Sequence, residues 1–328
     1  MIAPKLVSLF AIVLLACGPV CAQSGNRLSE PSGLPPSRWQ PEIDQLDQAL
    51  RDRALVASQP RAHWVAGHLD LADPLAQVAH FAQARAQAPQ ERLYVASLAT
   101  ACLERIRPLP PECDSPDRLA DWATRDTENG VPSLLLADRA RLRNDGPAMI
   151  AYLEEAATRP RFDDYWNRGA LFMWDEVRAL PLSVDPAAKA EFAAIAASAR
   201  APFTARTLPS LCRDALRFGE AARAACNAAG TAMAQRATTW ALRTSGAQLA
   251  ERSASSPQAQ ADAGRQLADL RLRAYECAEA ANPVSAAFAS PDAAVRGRAL
   301  AQWEARLKLE ADIGEVAACA RAPSARKS

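Results

Sequence analysis

Alanine fills 75 of the 328 positions, against 13 valines and 7 isoleucines, and that imbalance sets the fold class. Strands draw on Val, Ile, Thr and aromatic residues, because branched and flat side chains suit a pleated, half-buried surface. Alanine has the highest helix propensity. The composition excludes an all-β fold, argues against a parallel-sheet enzyme and predicts an all-α chain. Charge narrows the partners. With 38 basic and 37 acidic residues the net charge is +1, so no polybasic footprint points to nucleic acid or to a membrane surface.

The N-terminus predicts export. Lys5 precedes an apolar run from Leu6 to Ala16, too short to span a bilayer and of the form of a secretory signal peptide. Val20-Cys21-Ala22 before Gln23 offers small residues for cleavage, which gives a signal peptide of 1–22 and a soluble periplasmic chain. Leu14-Leu15-Ala16-Cys17 offers the alternative, a lipobox that would lipidate Cys17 and leave an outer-membrane lipoprotein. Cysteine parity favours the first. Cleavage after Ala22 leaves six cysteines, an even number suited to an oxidising compartment, whereas cleavage before Cys17 strands one thiol.

Residues 23–40 are rich in Ser, Pro and Gly and read as a flexible leader. Beyond them the pattern is helical. Ile43, Leu46, Leu50 and Ala54 form one stripe over 41–58. Further helices are expected at 61–72, 74–88, 90–107, 115–126, 131–143 and 146–158. Asp73-Pro74, Ser115-Pro116, Asn129-Gly130 and Asp145-Gly146-Pro147 punctuate them as cap-and-start signals. The second half predicts helices at 163–179, 186–200, 208–217, 219–252, 257–281 and 291–321, with a short tail at 323–328. Its alanine runs suggest closely packed axes.

Faint repetition runs through the first half. Trp64-Val65 and Leu98-Ala99 lie 34 residues apart, and Leu136-Ala137 follows 38 later. The clearest unit is Leu134–Pro160, a small-residue helix, an Asp145-Gly146 turn, a second helix and a closing proline. Phe81, Ala84 and Pro89 echo it. Over 58–160 this resembles a tetratricopeptide-like helical hairpin, whose period is about 34 residues, although Met149 stands where that motif has a small residue. The resemblance implies an α-solenoid array over 41–160, followed by a C-terminal helical region at 161–322. The whole chain also resembles alanine-rich exported bacterial proteins, a likeness that implies no activity.

The cysteines of the mature chain are Cys102, Cys113, Cys212, Cys226, Cys277 and Cys319. No CxxC occurs, and their spacings fit neither zinc sites nor a thioredoxin-like motif. Six cysteines allow 15 pairings. Cys102 with Cys113 would bracket the Pro108–Pro111 turn, and Cys212 with Cys226 would face each other across Gly219, which leaves Cys277 with Cys319. These are read as structural staples.

Catalytic chemistry finds little to stand on. His63 and His68 are five residues apart, not the stacked i,i+4 pair of a metalloprotease helix, so no metal or other cofactor is predicted. No Gly-x-Ser-x-Gly and no phosphate-binding glycine loop occur. Glu154-Glu155, Asp163-Asp164 and Asp175-Glu176 are adjacent carboxylates, which usually make a solvated face or a helix start. The one local anomaly is aromatic: Phe162, Tyr165, Trp166, Phe172 and Trp174 crowd into 13 residues. They fill either the core where two subarrays meet or, with Phe162, Tyr165, Trp166 and Trp174 as anchors, a binding patch for a partner or a sugar.

The sequence therefore predicts an all-α array of antiparallel helical hairpins, closed by longer C-terminal helices and pinned by disulfides. Its expected role is a non-catalytic periplasmic interaction module with a protein partner in the bacterial envelope, in its sharpest form an immunity protein against a secreted toxin. The alternatives are a cell-wall enzyme using Asp163 and Asp164, and a lipid-anchored scaffold, in which contact with a membrane depends on Cys17.

Overall fold

The computed structural model describes residues 39–56, 59–70, 73–103, 110–114, 117–199, 211–213, 215–288 and 290–321. Cys17, the processing sites, residues 23–38 of the leader and the 323–328 tail lie outside them. Among the described residues there are fifteen α-helices, one 3-10 turn and no strand. Nor is any of these helices long and apolar enough to cross a membrane.

In chain order the helices are α1 (Gln40–Val56), α2 (Pro60–Leu69), α3 (Pro74–Gln87), α4 (Arg92–Ala101), α5 (Pro111–Asp114), α6 (Arg118–Arg125), α7 (Gly130–Leu142) and α8 (Gly146–Thr158). Then come α9 (Trp166–Arg178), α10 (Pro186–Ala199), α11 (Glu220–Arg236), α12 (Trp240–Arg252), α13 (Pro257–Phe288), α14 (Ala293–Ile313) and α15 (Glu315–Arg321). Their starts are chemical. Asp73 accepts from the amides of Leu75 and Ala76 ahead of Pro74, Asn129 accepts from Val131, and Asp145 accepts from Ala148. Each satisfies amides that a helix start leaves orphaned. The α1 stripe is buried as its spacing predicts.

Neighbours in sequence pack as neighbours in space from α1 to α4, and on through α6, α7 and α8. The succession then skips. The next helix against α8 is α11, followed by α12 and α13, while the α9–α10 hairpin turns away to lie on α1 and α2. Helix α14 returns from α13 to α9 and α10. The hairpin array is thus closed by a C-terminal helix, and one contiguous core runs from Ile43 to Leu307. A second, smaller core lies under α13, built from Ala234, Trp240, Ala247, Leu267, Leu270, Ala274 and Cys277.

All three cysteine pairs form: Cys102–Cys113, Cys212–Cys226 and Cys277–Cys319, with Cα atoms 5.3, 6.0 and 5.8 Å apart. Two expected helices are broken. The 219–252 run splits at Ala237–Thr239, where Thr239 caps α12 by accepting from Leu242. The 291–321 run splits at Gly314, whose φ of +85° suits glycine.

Side chains too small to fill space let backbones touch. A Cβ on Gly246 would lie 2.5 Å from the Ala234 nitrogen and 2.7 Å from the Gly230 oxygen, so α11 and α12 meet main chain to main chain. Gly297 on α14 has nothing within 4 Å of the same position. The two glycines should therefore respond with opposite signs to alanine. Gly246→Ala is expected to cost about 2 kcal/mol or more through overpacking. Gly297→Ala is expected to gain up to about 1 kcal/mol from helix propensity. Thermal unfolding of the two variants reads both.

Candidate functional site

Four inter-helix segments meet at one end of the array, where a short extended stretch, Arg161–Asp163, threads between its neighbours. On one side the Gly130 amide donates to the Arg161 carbonyl at 2.9 Å and the Arg161 amide to Glu128 at 3.2 Å. On the other, the Thr238 amide donates to the Phe162 carbonyl at 3.0 Å, and Val316 donates to Thr238 at 3.1 Å. Loops from α6–α7, α8–α9, α11–α12 and α14–α15 are laced together by backbone bonds. The Phe162 ring lies flush on Gly130, where a Cβ would come within 2.4 Å of it.

Side chains knit the same place. Asp126 has no exposed side-chain surface and accepts from Arg161 at 2.5 Å, the Tyr165 hydroxyl at 2.6 Å, Asn129 at 2.9 Å and the Trp122 indole at 3.4 Å. Asn129 also donates to the Asp163 carbonyl at 2.7 Å and accepts the Asp163 amide at 3.0 Å. A buried carboxylate is tolerable only when paired and hydrogen-bonded in this way. Tyr165 adopts a left-handed φ of 60°, an uncommon conformation for a bulky residue. It is held there by its amide bond to Asp163 at 2.8 Å and its hydroxyl bond to Asp126. Burial raises the Tyr165 phenol above its ordinary range.

A cavity of about 170 Å³ opens beside this knot, lined by Arg92, Val95, Trp122, Arg125 and Asp126. Arg92 is half exposed and stands 3.6 Å from Asp126. Arg125 is turned to Asp121 at 2.7 Å.

The residues singled out in the sequence fall into place as follows. Phe162, Tyr165 and Trp174 are inside the protein, at 0, 6 and 1% exposure, which corrects the picture of a surface patch built on them. They occupy the junction where α8 hands over to α11 and α9 departs. Trp166 alone of the four is half-buried. Phe172 is half-buried too, its ring 4.2 Å from the Arg61 guanidinium. Asp163 and Asp164 lie at the start of α9 as helix-start residues, Asp164 accepting from Trp166 at 3.2 Å. Asp163 is also tied to Arg161 at 3.2 Å and to the Thr238 hydroxyl at 3.3 Å. Asp175 pairs with Arg61 and Glu176 with Arg53, at 3.2 and 3.4 Å. Folding of the α2–α3 hairpin returns His80 to His63. Among the described residues no group of three or more side chains is placed to hold a metal. Asp126, Arg161 and Thr238 are not marked by the sequence, and Asn129 is marked there only as a helix start. The only signal was local, the Asn129-Gly130 start and the Thr238-Thr239 pair.

Burial raises the Asp163 carboxyl. Glu315 is raised as well: burial, with Glu310 and Asp164 nearby, pushes it up to about 7, against the Trp240 amide and Arg306. That amide donates to Glu315 at 3.0 Å, so Glu315 joins the starts of α12 and α15.

Comparison of the chain with protein-family models, with curated proteins and with solved structures gives no match.

Because Glu315 holds its proton more tightly when folded than when unfolded, stability should fall as pH rises from about 4.5 to about 7, and level off above. Glu315→Gln keeps an acceptor for the Trp240 amide and has no proton to lose. It should remove that decline and gain about 2–3 kcal/mol at pH 8. Denaturant unfolding of both proteins across pH 4–8 measures it.

Proposed function

We propose that this chain is a non-catalytic protein-interaction module of the bacterial envelope, tetratricopeptide-like in its 58–160 hairpins, and in the sharpest form an immunity protein that neutralises a secreted toxin. The disulfide framework supports an oxidising compartment. The observation that carries the reading is the outer face of α13. This helix is packed along one stripe, Ala263, Leu267, Leu270, Ala274 and Cys277. Leu272 and Tyr275 project elsewhere at 56 and 50% exposure. Tyrosine is favoured at interface hot spots, and the Cys277–Cys319 bridge pre-organises the helix that bears it.

Crosslinked capture of the tagged, oxidised protein from its native periplasm should yield one partner in near-stoichiometric amount. Leu272→Glu combined with Tyr275→Ala should reduce that capture at least tenfold with Tm unchanged. Equal capture by the variant would remove α13 from the account, and no partner at native abundance would count against the module itself.

One observation favours an enzyme as the second reading: Asp163 has the burial-raised carboxyl that a general acid in a cell-wall hydrolase needs. Its two oxygens are, however, held by Tyr165, Arg161 and Thr238. On the interaction reading, Asp163→Asn leaves partner capture intact. On the enzyme reading it abolishes cleavage of cell-wall glycans while the protein stays folded.

A further inference from the structure

The chain has three histidines, and all of them lie in the α2–α3 hairpin. His63 and His68 are buried on α2, and His80 is half-buried on α3. His68 packs between Trp64 and Phe81, its ring 4.3 and 4.7 Å from theirs. His63 faces His80 instead, with ring centres 5.7 Å apart and planes 29° from parallel. The Nδ1 atoms of both His63 and His80 are shielded from solvent and have no hydrogen-bond partner. Two imidazoles thus face each other, each with one ring nitrogen left unpaired.

The surroundings offer a second proton little help. His80 reaches Asp70 at 3.6 Å, but Asp70 is shared with Arg51, which also holds Asp47 at 2.9 Å and the Leu69 carbonyl at 2.6 Å. From α9, Asp175 is taken by Arg61 and Glu176 by Arg53 of α1. On α3, Arg85 turns to Asp121 at 2.5 Å, and Asp73 caps the helix. On α4, Tyr94 is a phenol pushed up to about 12 chiefly by burial, and Arg92 stands 3.6 Å from Asp126. Among the described residues His63 forms no ion pair. Farther along the hairpin α2 and α3 are in close contact, since a Cβ on Gly67 would stand 2.6 Å from the Phe81 ring.

We propose that the α2–α3 hairpin is an acid-sensitive latch, in which protonation of buried His63, facing His80, drives α3 away from α2 and loosens the start of the array. Burial first, and His80 second, hold His63 below its ordinary range. A lowered histidine stabilises the fold above its unfolded pKa. That stabilisation is lost as pH falls below about 6.5 and through the lower folded value. The latch therefore opens on acidification, opposite in sign to Glu315. It involves helices remote from α13 and does not depend on the interaction reading.

Amide hydrogen exchange of the full, oxidised chain separates the two. Corrected for intrinsic rates, exchange of residues 60–87 is expected to rise at least tenfold between pH 7.5 and 5.0, while residues 220–252 keep their protection. In His63→Gln the acid-induced rise should disappear. The proton resonances of His63 in His80→Gln supply an independent reading, because removing the neighbouring cation should raise the His63 titration midpoint. Protection of 60–87 that ignores pH in the wild type, a full acid response in His63→Gln, or an unmoved His63 midpoint in His80→Gln would each overturn the latch.

Discussion

One buried carboxylate, Asp126, organises the end of the molecule where four connections cross. It lies between loops that belong to different parts of the array, and its donors come from α6, from the start of α7, from the strand-like 161–163 segment and from the residue before α9. The geometry explains why α8 can be followed in space by α11. The chain leaves α8, is gripped by Asn129 and Asp126 on one side and Thr238 on the other, and is sent off as α9 through a left-handed Tyr165.

The other constraint is volume. Alanine buries little apolar area per residue, so the fold obtains cohesion by other means. Axes approach until backbones touch at Gly230 and Gly246, and rings are laid directly on glycines, Phe81 on Gly67 and Phe162 on Gly130. Where even this does not suffice, covalent bonds take over. Helix α13 rests on the small second core, and it is the helix that the Cys277–Cys319 bridge ties to α15. A disulfide-tied helix with Leu272 and Tyr275 outward follows from the same economy of volume.

Much of the fold was legible because it is local. The α1 stripe, the caps at Asp73, Asn129 and Asp145, and the Cys102–Cys113 and Cys212–Cys226 pairs depend on residues near each other in sequence, and Cys277–Cys319 follows as the remaining pair. The breaks at Ala237–Thr239 and Gly314 were not legible as ends. Thr238 is drawn out of helix by Phe162, which precedes it by 76 positions, and no local propensity encodes that. The aromatic density at 162–174 marked the right place and left two sides open, core or surface: Phe162, Tyr165 and Trp174 take the core side because the handover from α8 to α11 leaves a space to fill. Asp126 resembles any aspartate at a helix end until Arg161 arrives from 35 residues away.

The central claim, that the Asp126–Arg161 pair holds the joint as one unit, is tested most directly by a double-mutant cycle. Unfolding free energies of Asp126→Ala, Arg161→Ala and the double variant supply it. Removing either partner strands the other in a largely desolvated site and should cost about 3–5 kcal/mol. The second removal should then cost far less, giving a coupling energy of about 2 kcal/mol or more. Costs that simply add, with coupling below about 0.5 kcal/mol, would contradict the account.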